Sequence, residues 1–115
     1  MPPVTNEKLA HPDRDQIELS SVLHALSDPV RLQIVAGLAS VGCERSCGSF
    51  EVPVTKSTCT HHFKVLREAG VIRQRQQGTA RLNTLRVEDL EARFPGVLET
   101  ILRAAFSGGG AGGPD

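Results

Sequence analysis

The chain has 115 residues, which supports one domain with a single hydrophobic core and is too short for large catalytic architectures such as a TIM barrel. Only 3% of the residues are aromatic, and Trp and Tyr are absent, which argues against sugar-binding platforms and base-stacking surfaces. The formal net charge is zero, yet the segment Lys56–Arg86 holds seven basic residues and one acid, so it carries +6 and the remainder −6. Such a segment is either suited to docking on a polyanion or is simply a solvated basic surface.

The sequence gives no sign of a membrane or secreted protein. No apolar run is long enough to span a bilayer, and the first residues lack the apolar core of a signal peptide. Three cysteines are an odd number in a chain with enough apolar residues to fold without disulfides. A cytoplasmic location without a membrane partner is therefore expected.

Both ends are predicted to lie outside the folded domain. Residues 2–14 contain three of the seven prolines mixed with charges, which predicts a flexible N-terminal arm over residues 1–14. Residues 107–115 contain five of the eleven glycines, which predicts a disordered tail. The ordered domain is expected to span residues 15–106.

The first half of this domain is predicted to be helical. Apolar residues at spacings of mostly three or four predict a helix over residues 17–26. Asp28-Pro29 then predicts a new helix, because Asp is a good N-cap and Pro suits the first helical position. This second helix is predicted to end near Gly42, and residues 43–54 are predicted to form a loop with a short helix at most.

A third helix is predicted between an N-cap at Thr55 and a C-cap at Gly70. At helical spacing, one of its faces is apolar and the opposite face is polar and basic. The apolar face carries Cys59, Phe63, Leu66 and Ala69, with His62 at its edge. The polar face carries Lys56, Ser57, Thr60, His61, Lys64 and Arg67.

A basic hairpin and a last helical region complete the domain. Residues 71–86 read as two strands joined by a turn at Gln77-Gly78-Thr79, with Arg73, Arg75 and Arg81 beside the turn. Residues 88–106 are predicted to be helical, with an interruption at Phe94-Pro95-Gly96.

The end of the last helical region has an apolar face that is wide for a terminal helix on so small a domain. Such a face is buried if it pairs with the first helix across a two-fold axis, which predicts a homodimer. The alternative is that the face packs on the core of its own chain. The predicted interface residues are Ile17, Val97, Leu98, Ile101, Leu102 and Phe106.

This order of elements is that of a winged helix-turn-helix, a mainly α fold with a β-hairpin wing, in which a helix enters the major groove of DNA. The run Leu26–Val35 resembles the second-helix signature of the ArsR/SmtB bacterial repressors, and the run Lys56–Ile72 resembles their recognition helix and first wing strand. The resemblance covers about residues 17–106. It implies a homodimer, joined through its first and last helices, that binds an inverted-repeat operator of double-stranded DNA and usually represses until an effector releases it. The predicted DNA-binding residues are Lys56, Ser57, Thr60, His61, Lys64, Arg67, Arg75, Thr79 and Arg81.

The effector remains open, because the usual metal ligands of this family are missing. The Cys-x-Cys pair of one family site is replaced by Cys43 and Cys47, three residues apart in a loop, and residues 88–106 contain no His for the other site. The remaining candidates are His11, Asp13 and Asp15, whose nitrogen and oxygen donors suit Ni or Zn. The open alternatives are a metal ion, thiol chemistry at the two cysteines, or no small effector.

Two other classes of function compete with a DNA-binding regulator. A protein-interaction module would use the basic face to dock an acidic partner, and binding to the promoter of its own gene would separate the two. An enzyme has no support, since the sequence contains neither a Gly-rich phosphate loop nor a nucleophile elbow.

Overall fold

A computed structural model describes residues 9–41, 45–46 and 55–107, with a mainly helical fold and a small antiparallel sheet. A 3-10 turn at Arg14–Gln16 precedes the first helix, and a π-helical turn at Arg103–Ser107 follows the last. The elements in chain order are α1 (Leu19–Ala25), α2 (Pro29–Val41), β1 (Arg45–Ser46), α3 (Lys56–Ala69), β2 (Ile72–Gln77), β3 (Ala80–Leu85), α4 (Val87–Arg93) and α5 (Val97–Leu102). This order confirms the predicted winged helix-turn-helix. Among the described residues, none of the helices has the length and apolar content needed to cross a membrane.

The helix boundaries follow from their capping residues. The Asp28 carboxylate accepts hydrogen bonds from the backbone N–H of Val30 (2.9 Å) and of Arg31 (3.2 Å), so α2 begins at the predicted Asp-Pro pair. The Thr55 hydroxyl accepts the backbone N–H of Thr58 at 3.2 Å at the start of α3. Gly70 ends α3 with a left-handed φ of 88°. Both predicted ends of α3 are therefore confirmed.

The wing is a hairpin with an added strand. β2 pairs antiparallel with β3 from Ile72 opposite Leu85 to Gln77 opposite Ala80, and Gly78 has a φ of 62° in the two-residue turn. β1 pairs with the other edge of β3, which gives the order β1-β3-β2. The prediction of a loop with at most a short helix was wrong at these two residues, because a two-residue strand has no periodicity that a sequence can display. The rest of the range 43–54 lies outside the described residues.

The core is formed by the inner faces of the helices and by the base of the wing. Phe63 and Leu66 of α3 belong to one buried apolar cluster with side chains of α1, α2, β2, α4 and α5. Ile17, which precedes α1, is only 1% exposed and lies in this core. The Gly70 backbone approaches Ile17 so closely that an added Cβ would lie 2.6 Å from the Ile17 Cγ1 atom.

Burial corrects the predicted dimer face in part. Ile17 and Leu98 are buried in the core of their own chain, because the chain turns inward at Ile17 and α5 packs back on the domain. Ile101 and Leu102 are half-buried against the same core, whereas Phe106 is 41% exposed. The large apolar side chains exposed in the described residues are instead Leu19, Leu23, Val87 and Phe106.

Candidate nucleic-acid interface

The outer face of α3 carries the polar side chains that the sequence placed there. Ser57, Thr60, His61 and Lys64 are exposed, whereas Phe63 and Leu66 on the opposite side are buried. Lys56 lies in the first turn, and its side chain is outside the described residues. A capped helix that presents small polar and basic side chains from its first turns has the dimensions and chemistry to read base edges in a major groove.

Arg67 is a correction to the predicted interface. Its side chain is buried, with Nε donating to the Ala10 carbonyl at 3.2 Å and Nη1 donating to the Gln74 Oε1 atom at 2.8 Å. Arg67 follows Phe63 by one helical turn, so it lies at the border of the apolar face, and residues before α1 cover that border. The guanidinium therefore links α3 to Ala10 and to Gln74 of β2, and it is not available to DNA.

A series of buried, hydrogen-bonded polar side chains joins α3 to both strands of the wing. From Arg67 it continues through Gln74, whose Nε2 donates to the Asn83 Oδ1 atom at 2.7 Å. Asn83 is fully buried, and every buried side-chain nitrogen and oxygen in the described part of the chain has a hydrogen-bond partner. Because buried polar groups are costly unless they are paired, this series of hydrogen-bonded side chains fixes the wing against α3.

The segment of residues 10–12, predicted to belong to a flexible arm, reinforces the same junction. Besides the Ala10 contact, the Gln74 backbone N–H donates to His11 Nε2 at 3.0 Å, and Arg86 Nη1 donates to the Pro12 carbonyl at 2.9 Å. Residues 1–8 and 108–115, the remainder of the predicted arm and most of the predicted tail, lie outside the described residues.

The His11 ring is thus committed to contacts within the protein. Burial lowers its pKa, and the nearby guanidinium groups of Arg73, Arg67 and Arg86 act in the same direction, while a hydrogen bond with the Leu9 backbone opposes them. The neutral ring that results can accept the Gln74 N–H, and a metal ion at Nε2 would have to displace that contact.

The other metal candidates do not converge on His11. Asp13 and Asp15 are exposed, and the Asp13 backbone N–H donates to the Gln16 Oε1 atom at 2.8 Å. Across residues 9–41, 45–46 and 55–107, no three His, Cys, Asp or Glu side chains are placed to hold a metal ion together. Cys43 and Cys47 lie outside the described residues.

The wing presents basic and hydroxyl groups near its turn. Arg75 and Thr79 are exposed, and Arg81 is half-buried with Nε donating to the Gln76 Oε1 atom at 3.4 Å. Residues on β2 alternate, so that Arg73 and Arg75 share the exposed face while Ile72 and Gln74 point inward. The wing near its turn and the outer face of α3 therefore both expose basic and hydroxyl side chains.

An ion-pair cluster that the sequence did not reveal anchors the base of the wing. Asp89 of α4 contacts Arg14 Nε at 2.7 Å, Arg86 Nε at 2.9 Å and Arg73 Nη2 at 3.6 Å. A hydrogen bond from Arg14 holds the Asp89 pKa below its ordinary value, with a further contribution from Arg86. Arg73 is consequently neutralised in part, and Arg75 lies nearer the tip of the wing on the same exposed face of β2.

Comparisons with known proteins agree with this architecture. No protein-family model matches the chain. The uncharacterized HTH-type transcriptional regulator YceK of Bacillus subtilis is 38% identical over 89 residues, which cover 76% of this chain and 88% of that protein. Among solved structures, the transcriptional repressor BigR from Xylella fastidiosa is 27% identical and has a TM-score of 0.57, covering 76% of this chain and 85% of BigR. The ArsR family transcriptional regulator RHA00566 is 21% identical and has a TM-score of 0.60, covering 71% of this chain and 90% of that one.

Proposed function

We propose that this chain, which belongs to the HTH-type transcriptional regulators and has the fold of an ArsR family regulator, acts as a homodimer on an inverted-repeat DNA operator. The observation that carries this proposal is that α3 and the wing both expose polar and basic side chains, with Thr60, His61 and Lys64 on the helix and Arg75 on β2. In each protomer α3 enters the major groove, and the wing follows the adjacent backbone.

The side chains of this surface divide into two kinds of contact. The Thr60 hydroxyl and the His61 imidazole carry hydrogen-bond donor and acceptor atoms, so both residues are assigned to base edges, where sequence is read. Lys64, Arg75 and Arg81 are assigned to phosphates, which position the protein without reading sequence. Ser57 and Thr79 add hydroxyl contacts at the helix start and at the wing tip.

Substitution of the wing arginines tests the phosphate contacts. Arg75→Ala or Arg81→Ala is expected to weaken specific and nonspecific DNA binding equally and to lower the salt slope of the binding constant by about one. Fluorescence anisotropy at several salt concentrations measures both quantities. Arg103→Ala is the matched control, because Arg103 is exposed beyond α5 and pairs with Glu99 at 2.5 Å, outside the basic segment. An unchanged slope in both wing variants would remove the wing from the interface.

The homodimer is supported by exposed apolar side chains on α1. Leu19 and Leu23 are 42% and 45% exposed and one helical turn apart, and Phe106 is exposed beyond α5. We expect light scattering at micromolar concentration to give twice the chain mass, and Leu23→Glu to shift the protein towards a monomer. Val87→Glu is the control, since Val87 is 50% exposed on α4, outside this face. A wild-type monomer at that concentration would overturn the homodimer and the inverted repeat inferred from it.

A further inference from the structure

One buried guanidinium in the Leu26–Val35 run connects three helices. Arg31 of α2 is 8% exposed, and its Nε and Nη2 donate to the carbonyl oxygens of Ala25 (2.6 Å) and His24 (3.3 Å) at the end of α1. Its Nη1 lies 3.1 Å from the Nδ1 atom of His62 on α3. Arg31 therefore touches both the helix with the exposed leucines and the helix proposed to contact DNA.

The contact with α3 requires a particular protonation state of His62. A guanidinium has N–H donors and no acceptor, so the His62 Nδ1 atom must be the acceptor, which fixes the neutral ring with its proton on Nε2. The Asp28 Oδ2 atom lies 3.9 Å from that Nε2, while the same carboxylate caps α2. Arg31 and Asp28 thus lie beside the two nitrogen atoms of the His62 ring, Arg31 at Nδ1 and Asp28 at Nε2.

The surroundings of His62 favour its neutral form. Burial lowers the His62 pKa, the Asp28 carboxylate of the α1–α2 turn opposes this effect, and Arg31 of α2 and His61 of α3 lower the pKa further. A proton on Nδ1 would remove the acceptor and place two cations 3.1 Å apart in a buried site. The fold-stabilising contribution of the neutral ring is complete above about pH 6.5, the ordinary histidine value, and is lost as the pH falls through the lower pKa of His62.

We propose that Arg31 is a positioning residue for DNA binding, which sets the recognition helix α3 relative to α1 through the neutral ring of His62. The proposal rests on the proposed function, because α3 and α1 are taken as the DNA-reading and dimer helices. Two recognition helices of a dimer must match half-sites about one DNA turn apart, so a link between α1 and α3 controls their spacing. When protonation breaks the link, specific binding weakens more than nonspecific binding, which needs only charge.

The substitution His62→Asn tests the proposal, because the asparagine Oδ1 can replace Nδ1 as acceptor for Arg31 and does not titrate. Affinities for an operator duplex and a scrambled duplex are measured from pH 7.5 to pH 5.5. We expect the wild-type ratio of specific to nonspecific affinity to fall as the pH is lowered, because the proton that breaks the link weakens specific binding more than nonspecific binding. The ratio is expected to stay flat in His62→Asn. His24→Asn is the control, because that histidine contacts Arg31 only through its backbone, and it should keep the wild-type pH dependence.

The outcomes separate this proposal from the proposed function. A wild-type ratio that does not change with pH, or one that falls equally in His62→Asn, overturns the positioning role. His61, which is assigned to base edges, is present in both proteins, so a fall in the ratio that came from His61 would appear equally in His62→Asn. If no DNA is bound at all, the proposed function fails, and a histidine titration by NMR still decides the link. The link then predicts that Arg31→Met raises the His62 pKa, and an unchanged value would overturn it.

Discussion

Gly70→Ala is expected to lower the free energy of unfolding by about 2–5 kcal/mol, the sum of a conformational and a packing cost. Gly70 has a φ of 88°, which L side chains adopt at a cost of about 1–2 kcal/mol. An alanine Cβ would also lie 2.6 Å from Cγ1 and 2.8 Å from Cδ1 of Ile17. Ile17 is 1% exposed, so the added methyl group would overpack a buried side chain, which adds about 1–3 kcal/mol. Urea unfolding followed by circular dichroism measures the change.

Gly96→Ala separates the two costs. Gly96 has a φ of 80°, and an added Cβ there has nothing within 4 Å. Its substitution should therefore carry the conformational cost alone, about 1–2 kcal/mol. Equal destabilisation by the two substitutions would show that the contact between Gly70 and Ile17 is unimportant.

Thr60→Ala and His61→Ala are each expected to weaken operator binding by about 1–3 kcal/mol, or roughly 5- to 150-fold. The reason is that a lost base contact removes discrimination between sequences, while the phosphate contacts remain. Both residues are exposed, so the free energy of unfolding should change by less than about 0.5 kcal/mol. Anisotropy titrations with an operator and a scrambled duplex measure the two affinities.

Gln33→Ala serves as the control for these two variants, since Gln33 is exposed on α2 outside the proposed DNA surface. It should leave both affinities unchanged. If Thr60→Ala and His61→Ala weakened binding to both duplexes equally, the two residues would be phosphate anchors, and the assignment of base reading to them would be wrong.

The recognition helix and the hairpin could be predicted because their signals are local. Thr55 caps the start of α3 with its own hydroxyl, and Gly70 ends it with a conformation that favours glycine. The turn at Gly78 likewise follows from a residue that tolerates a positive φ. These features depend on residues a few positions apart, so a single sequence displays them.

The features that sequence reasoning missed arise from contacts between distant segments. Helical spacing predicts that Arg67 is a surface cation, but its guanidinium is hydrogen-bonded to Ala10 and Gln74. Both partners lie outside α3, so the spacing of residues within the helix could not reveal these contacts. The pairing of Gln74 with Asn83 was accessible in principle, because a two-residue turn at Gly78 places those positions opposite each other. Two facing polar residues on the inner side of a hairpin were the available signal.

The predicted dimer face shows the same limit. An apolar stripe predicts that a helix face is buried, but it does not indicate whether the same chain or a second chain buries that face. Leu98 is covered by its own domain, whereas Leu19 and Leu23, which the predicted interface did not include, remain exposed.

The most direct test of the central claim is the affinity of the protein for the DNA upstream of its own gene, compared with a scrambled duplex of equal length and composition. Anisotropy at near-physiological salt is the measurement, because salt dominates nonspecific affinity. Sequence reading by α3 predicts that the upstream DNA is bound about a thousandfold more tightly, or more, and that Thr60→Ala together with His61→Ala removes most of this preference. Equal affinity for the two duplexes would contradict the claim, and the basic face would then be that of a protein-interaction module.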